Sequence, residues 1–261
     1  MKIALIQLTS LLDYQTNLKK IELFIEQATS DGVSHIFLPE CFYSMSDGTK
    51  PTPYVVNGVD EHYKNIQNLA IKHKVFLIGG SAAAYGGGEI VNRAYNFDPE
   101  GKDLGQYDKM HLFSCDLVNK EGEKKVIDES DIYTPGESPK IIQVGELKIG
   151  LGICFDLRYP EMSRDYMRKG VNLLTFSSAF TVPTGRAHWH ALLRARAIEN
   201  QCFVVAAAQW GRHNDRIQTY GHSLVVDPWG EILVDGEEGE KVVYAQLDLS
   251  LVDKVRSRIK L

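Results

Sequence analysis

The strongest constraint on this 261-residue chain is that its pattern of elements occurs twice. The run KIALIQL (2–8) resembles KIGLGIC (148–154), and both are short aliphatic stretches that read as strands. A helical pattern follows each, over 14–30 and 160–169. HIFLPE (35–40) and NLLTFSS (172–178) read as second strands, with second helices near 60–73 and 187–200. Third strands fall at VFLIGGSAA (75–83) and CFVVAAAQ (202–209). Each half then closes in a hairpin over an Asp-Pro-x-Gly turn, NFDPEGK (96–102) and VVDPWGE (225–231). In such a turn Asp caps the first position, Pro fixes φ at the second, and Gly is tolerated at the fourth.

Strand–helix–strand units want parallel neighbours joined by right-handed crossovers. Two sheets, each with helices on one face, must bury their bare faces against each other. The expectation is an α/β fold: a four-layer α-β-β-α sandwich built from two pseudo-repeated halves, as a single domain over 1–261. The halves differ mainly at 110–146. That stretch is rich in Lys, Glu, Asp, Gly and Pro and reads as a long surface loop.

Composition excludes several partners. A net charge of −5 without a Lys/Arg-rich block argues against nucleic acid and anionic membranes. The cysteines at 41, 115, 154 and 202 form no C-x-x-C pair, so neither a disulfide framework nor a thiolate zinc site is expected. The apolar run in MKIALIQL is too short for a signal peptide, and no run nears a membrane span. A cytoplasmic protein with reduced thiols is the expectation.

Parallel sheets collect sites beyond the carboxyl ends of their strands. Glu40 ends HIFLPE, Cys154 ends KIGLGIC, and Lys109 follows the first hairpin in GQYDKMHLF. Glu40 and Cys154 belong to different halves, so they can meet only across the seam between the sheets. Together the three make a workable set. A thiol is mostly protonated at neutral pH and needs a base, which a buried carboxylate supplies. Attack on a carbonyl creates an oxyanion, which a fixed ammonium and the N–H of Phe155 can hold.

Each residue alone has a plainer reading. A strand cysteine is most often core, a strand-end carboxylate solvated, and a lysine superficial. Cys41 would point to the opposite side of an extended chain and reads as core, as does Cys202, while Cys115 is the rival nucleophile. A dyad of a cysteine with His111, His188 or His222 is a competing arrangement. His188, Trp189 and His190 begin the predicted helix, where packing and capping account for them. GGSAAAYGGG (79–88) lacks the Gly-Lys-Ser/Thr ending of a phosphate loop and reads as strand and turn.

FLPECF, YDKMHLF and GLGICFDLRYPE together resemble the three signature segments of the nitrilase superfamily of carbon–nitrogen hydrolases, in order and spacing along nearly the whole chain. The resemblance implies the same sandwich fold, a Glu40–Lys109–Cys154 triad and a thioester on Cys154, with no metal or organic cofactor. It also implies a second glutamate that orients the lysine. Glu129 fits, with Asp128 and Asp131 as rivals. TGRAHWHALLRARAIENQCFVVAAAQWGRH and YGHSLVVDPWGE resemble the deaminated glutathione amidase branch, and somewhat less the ω-amidases. Both imply a small amide substrate that carries a carboxylate. Arg158 matches the arginine that grips the carboxylate, although it could instead pair with Asp156 or Glu161. Phe180 and Thr184 match pocket-lining positions. Arg186 and His190 stand where relatives often carry Pro and an acid, which adds cationic capacity near the pocket. A homodimer is implied, with any larger assembly left open. A nitrile substrate and a catalytically silent binding protein on the same fold are the remaining alternatives.

Overall fold

The computed structural model describes residues 1–118 and 124–261. In the first half, β1 (Lys2–Gln7), β2 (His35–Phe37) and β3 (Phe76–Ile78) are parallel neighbours joined through α1 (Tyr14–Ser30) and α2 (Glu61–His73). Asp13 and Asp60 cap the two helices by accepting the N–H groups of Thr16 and Tyr63. The predicted third strand breaks at Gly79, where φ is +78°. Gly80 follows, and a Cβ there would lie 2.5 Å from that of Leu38. Beyond the break, β4 (Ser81–Gly86), β5 (Glu89–Ala94) and β6 (Tyr107–Asp108) form a separate antiparallel sheet. Bridges from Leu77 to Phe97 and from Phe97 to Asp103 put the first Asp-Pro-x-Gly hairpin beside β3.

The stretch 110–146 is not a bare loop. It holds the antiparallel pair β7 (Ser114–Val118) and β8 (Lys124–Asp128), a 3-10 turn over Glu129–Asp131, and β9 (Ile141–Val144); residues 119–123 lie outside the described residues. Next come β10 (Leu147–Ile153), α3 (Pro160–Arg168), β11 (Leu173–Ser177), α4 (Val182–Asn200) and β12 (Phe203–Ala206), with the three strands parallel. The hairpin β13 (Trp210–Arg212) and β14 (Gln218–Tyr220) precedes β15 (Leu224–Val226) and β16 (Ile232–Asp235), which close the second sheet. Last are β17 (Lys241–Gln246) and α5 (Ser250–Arg258). The second sheet runs β16-β15-β12-β11-β10-β9 and the first β17-β1-β2-β3. β17 lies antiparallel to β1 as β9 lies antiparallel to β10, so the internal symmetry includes an added edge strand in each half.

Side-chain alternation along β1 shows how the layers assemble. Ile3 and Leu5 join a buried cluster with Ile149, Leu151 and Ile153 of β10, between the sheets. Ala4 and Ile6 face the other way, into a cluster with Ile21, Ile25 and Ala28 of α1 and Ile66 and Leu69 of α2. On β10 the glycines make room for neighbours on the helix-bearing face. A Cβ on Gly150 would come within 2.6 Å of the Tyr166 ring, and one on Gly152 within 2.7 Å of the Phe176 ring. The sandwich is therefore as expected.

At the carboxyl ends of the strands the sheets are stitched together. Leu8, just past β1, bridges Gln209, just past β12, in parallel sense, while Ser178 and Ala208 extend the β11–β12 pairing within the second sheet. Among the described residues no helix is long and apolar enough to cross a membrane.

Candidate active site

Cys154 sits where β10 turns into a 3-10 segment, Cys154–Arg158, with φ at +48°. That left-handed conformation is costly for a side chain and recurs where function requires it. Asp156, fully buried, holds the corner. Its carboxylate accepts the Ile153 N–H (2.8 Å), the Tyr107 hydroxyl (2.7 Å), and the His111 N–H (3.0 Å) and ring (2.7 Å). One side chain thus ties the Cys154 corner to the YDKMHLF segment.

Glu40 follows β2 and is 2% exposed. The Gln209 amide donates to its backbone carbonyl (2.9 Å), and the Asn92 amide donates to its Oε1 (2.9 Å). Lys109 is placed by its own N–H, which donates to the Asn92 carbonyl (2.9 Å), and by its carbonyl, which accepts from Gly136 (2.8 Å). Its fully buried ammonium donates to Glu40 Oε1 at 2.8 Å and to Glu129 at 2.7 and 2.9 Å. Glu129 also accepts the Phe113 N–H at 2.8 Å. The rivals fall away. Asp128 caps the 3-10 turn by accepting from Ser130, and Asp131 is exposed.

Electrostatics separates the roles. Burial works against the Lys109 ammonium, but Glu129 and Glu40 outweigh it and hold its pKa well above the ordinary value. Burial, with Glu40 beside it, raises the Glu129 carboxyl, and Lys109 opposes the rise. Burial and then the charge of Glu40 push the Cys154 thiol well above its usual range. The resting sulfur is therefore S–H, and it requires a base when it attacks.

Beside these groups opens a cavity of about 430 Å³. Glu40, Glu129, Cys154, Phe155, Arg158, Phe180 and Thr184 all line it, while Lys109 lies behind the carboxylates. The constellation expected at the seam is assembled. The cavity spans both halves and opens at the strand ends, as in enzymes of open α/β sheets.

The family model described as carbon-nitrogen hydrolase matches residues 2–257. The chain belongs to this family. Among curated relatives of this carbon–nitrogen hydrolase, the nitrilase and fragile histidine triad fusion protein NitFhit of Caenorhabditis elegans is 39% identical over 97% of the chain. The chain spans 58% of that fusion protein's length. Human omega-amidase NIT2 is 33% identical, with 99% of this chain and 92% of the relative covered. Crystalline Saccharomyces cerevisiae Nit3, a member of branch 10 of the nitrilase superfamily, superposes with a TM-score of 0.86 at 32% identity, covering 100% of this chain and 94% of that one.

Several readings of the hydrolase change with its structure. Arg158 does not pair with Asp156, which His111 and Tyr107 occupy. Its guanidinium reaches His188 Nδ1 at 3.2 Å and lies 5.5 Å from the rings of Phe155 and Phe180. Cys41 is buried, but the chain has left the extended conformation there (φ +51°), and its side chain lines the cavity. Cys115 on β7 does not line it. His111, His188 and His222 each have partners other than Cys154, namely Asp156, Arg158 and Asp235. Residues 188–190 do not begin a helix, because α4 already starts at Val182. Neither Arg186 nor His190 lines the cavity. Asn92, Asp156 and Gln209 are positioning residues that sequence reasoning missed. Their signal is a polar side chain inside or beside an apolar strand, which a single sequence does not separate from a solvated edge position.

Proposed function

We propose that the protein is a thiol amidase in which Cys154 is the nucleophile, Glu40 the general base and acid, and Lys109 the oxyanion stabiliser. The observation that carries this reading is the buried Lys109 ammonium, 2.8 Å from Glu40 and 2.7 Å from Glu129, behind a cavity lined by Glu40 and Cys154. Glu40 takes the thiol proton as sulfur attacks the amide carbon. The carbonyl oxygen becomes an oxyanion held by Lys109 and the Phe155 N–H, with Glu129 fixing the amine. Glu40 returns the proton to the departing nitrogen, and ammonia leaves a thioester on Cys154. Water, deprotonated by Glu40, then attacks the thioester. The acid departs and the thiol is restored.

For the substrate we propose a small ω-amide of a dicarboxylic keto acid. Arg158 is the cation that receives the distal carboxylate, since it lines the cavity and its guanidinium contacts His188 and the rings of Phe155 and Phe180 rather than a carboxylate. Phe155 and Phe180 flank it, and Thr184 adds a polar wall. The relatives whose names state an activity favour this substrate over deaminated glutathione: omega-amidase NIT2 of human and mouse, and omega-amidase NIT3 of yeast.

Ammonia release from a panel of ω-amides of keto acids, deaminated glutathione, carboxylate-free amides and nitriles tests the proposal. Highest kcat/KM on the keto-acid amides is expected. Turnover confined to deaminated glutathione would move the assignment to that branch. Arg158→Met should raise KM for carboxylate-bearing amides by roughly 10- to 100-fold, the scale of one charge-assisted hydrogen bond. It should leave carboxylate-free amides nearly unchanged.

We also propose a cytoplasmic homodimer. The exposed Ile198 and Trp229 support an association face, because the 227–230 turn packs on α4 with Gly230 against Ile198. Light scattering should give twice the chain mass.

A further inference from the structure

We propose that His190, His222 and Asp235 form a binding site for a divalent transition ion of the zinc class, outside the catalytic cavity. The three come from separate elements: α4, the turn that follows β14, and the end of β16. Asp235 Oδ2 lies 2.8 Å from His190 Nε2, and Oδ1 lies 2.9 Å from His222 Nδ1. One donor atom from each residue falls within 4.8 Å of the others, and no second group of this kind occurs among the described residues.

The donor set suits the ion. Two imidazoles and a carboxylate match zinc-class preferences, and a metal at about 2.0–2.1 Å from each donor sets neighbouring donors roughly 3 Å apart. The histidine–aspartate separations already meet that spacing, because protons now hold the groups together. An ion would take the place of those protons, with water filling the remaining positions. With both imidazoles neutral the cluster carries one negative charge, which a divalent cation more than neutralises.

The surroundings orient the donors as outer partners of a metal do. The Glu237 N–H donates to Asp235 Oδ1 at 2.8 Å. The Trp189 indole donates to the His222 carbonyl at 2.8 Å, and the Tyr220 ring stacks on His222 at 4.2 Å. Side-chain exposures of 31% for His190 and 19% for His222 leave an entry path from solvent. The three donors do not line the catalytic cavity, but Thr184 of α4 and Gln218 of β14 do. A bound ion would therefore clip together two elements of the cavity wall without touching the reacting atoms.

The test uses the full chain, stripped with chelator and then titrated with Co²⁺ or Zn²⁺. Cobalt should give visible d–d absorption without a sulfur-to-metal charge-transfer band, unchanged in Cys154→Ala and lost in His190→Gln and Asp235→Asn. At about 100-fold excess over its dissociation constant, zinc should raise the melting temperature by roughly 5–10 °C in wild type and Cys154→Ala, and not in the other two variants. His190→Gln is on the partly exposed helix face and keeps the test valid if Asp235→Asn misfolds. No cobalt spectrum, a thiolate band that disappears with Cys154→Ala, or a thermal shift that survives in His190→Gln would overturn the site.

Discussion

Replacing Cys154 with alanine should stop amide hydrolysis. The expected fall in kcat is at least ~10⁴-fold, the scale on which losing a covalent nucleophile acts. The melting temperature should hold within a few degrees, since the thiol sits at the cavity wall and Asp156 keeps its bonds to Ile153, Tyr107 and His111. Burial and Glu40 keep the resting sulfur protonated, so Cys154 should show no thiolate absorbance at pH values where an ordinary thiol has ionised. Ammonia release and mass spectrometry read the result together: wild type should carry an acyl adduct, and Cys154→Ala none. Equal ammonia release from the two proteins would remove the enzymatic reading and leave a binding protein on this fold.

Lys109→Met should damage both activity and folding. Removing an oxyanion donor costs about 10²–10³ in kcat. Removing the partner of buried carboxylates costs a further ~3–5 kcal/mol of stability at neutral pH. The sign of the pH dependence follows from Glu129. Its carboxyl is already raised by burial and by Glu40, and Lys109 is what opposes that rise. Without the cation it binds its proton still more tightly when folded than when unfolded. Stability from a raised carboxyl is present below its unfolded pKa and is lost as pH climbs through the folded value. The variant should therefore be weakest at pH 8 and recover toward wild type on acidification to about pH 5. Denaturant midpoints at the two pH values measure this. A deficit that grows on acidification would mean that Lys109 does not offset buried negative charge.

Much of this architecture is legible in one sequence because β1, β10, α1, α2 and α3 lie where period-2 and period-3.6 patterns are cleanest. The repeat then points to residues at or just past strand ends, which brings out Cys154 after β10 and Glu40 three residues beyond β2, while Lys109 stands in the segment after the first hairpin. The rest is hidden for physical reasons. The start of α4 is disguised by Pro183 and by Gly185, whose missing Cβ leaves room for Tyr220, 2.3 Å from where that atom would be. β17 and α5 follow the hairpin that completes the repeat in the sequence, so the repeated segments do not mark them, although β17 matches β9 once the sheets are assembled. Alternation misplaced Cys41 because β2 has already ended at Phe37. Asp156, Asn92 and Gln209 act through bonds to segments 45, 52 and 169 residues away, a range that local pattern does not report.

The pairing of β1 with β17, from Lys2 opposite Gln246 to Gln7 opposite Lys241, has a consequence for biosynthesis. β1 leaves the ribosome well before its outer neighbour, which is translated more than two hundred residues later. Throughout that interval the nascent polypeptide carries an aliphatic ribbon with one row of amide and carbonyl groups unclaimed. Completion of the amino-terminal layer, and with it the final setting of the cavity, therefore waits on late translation rather than proceeding half by half.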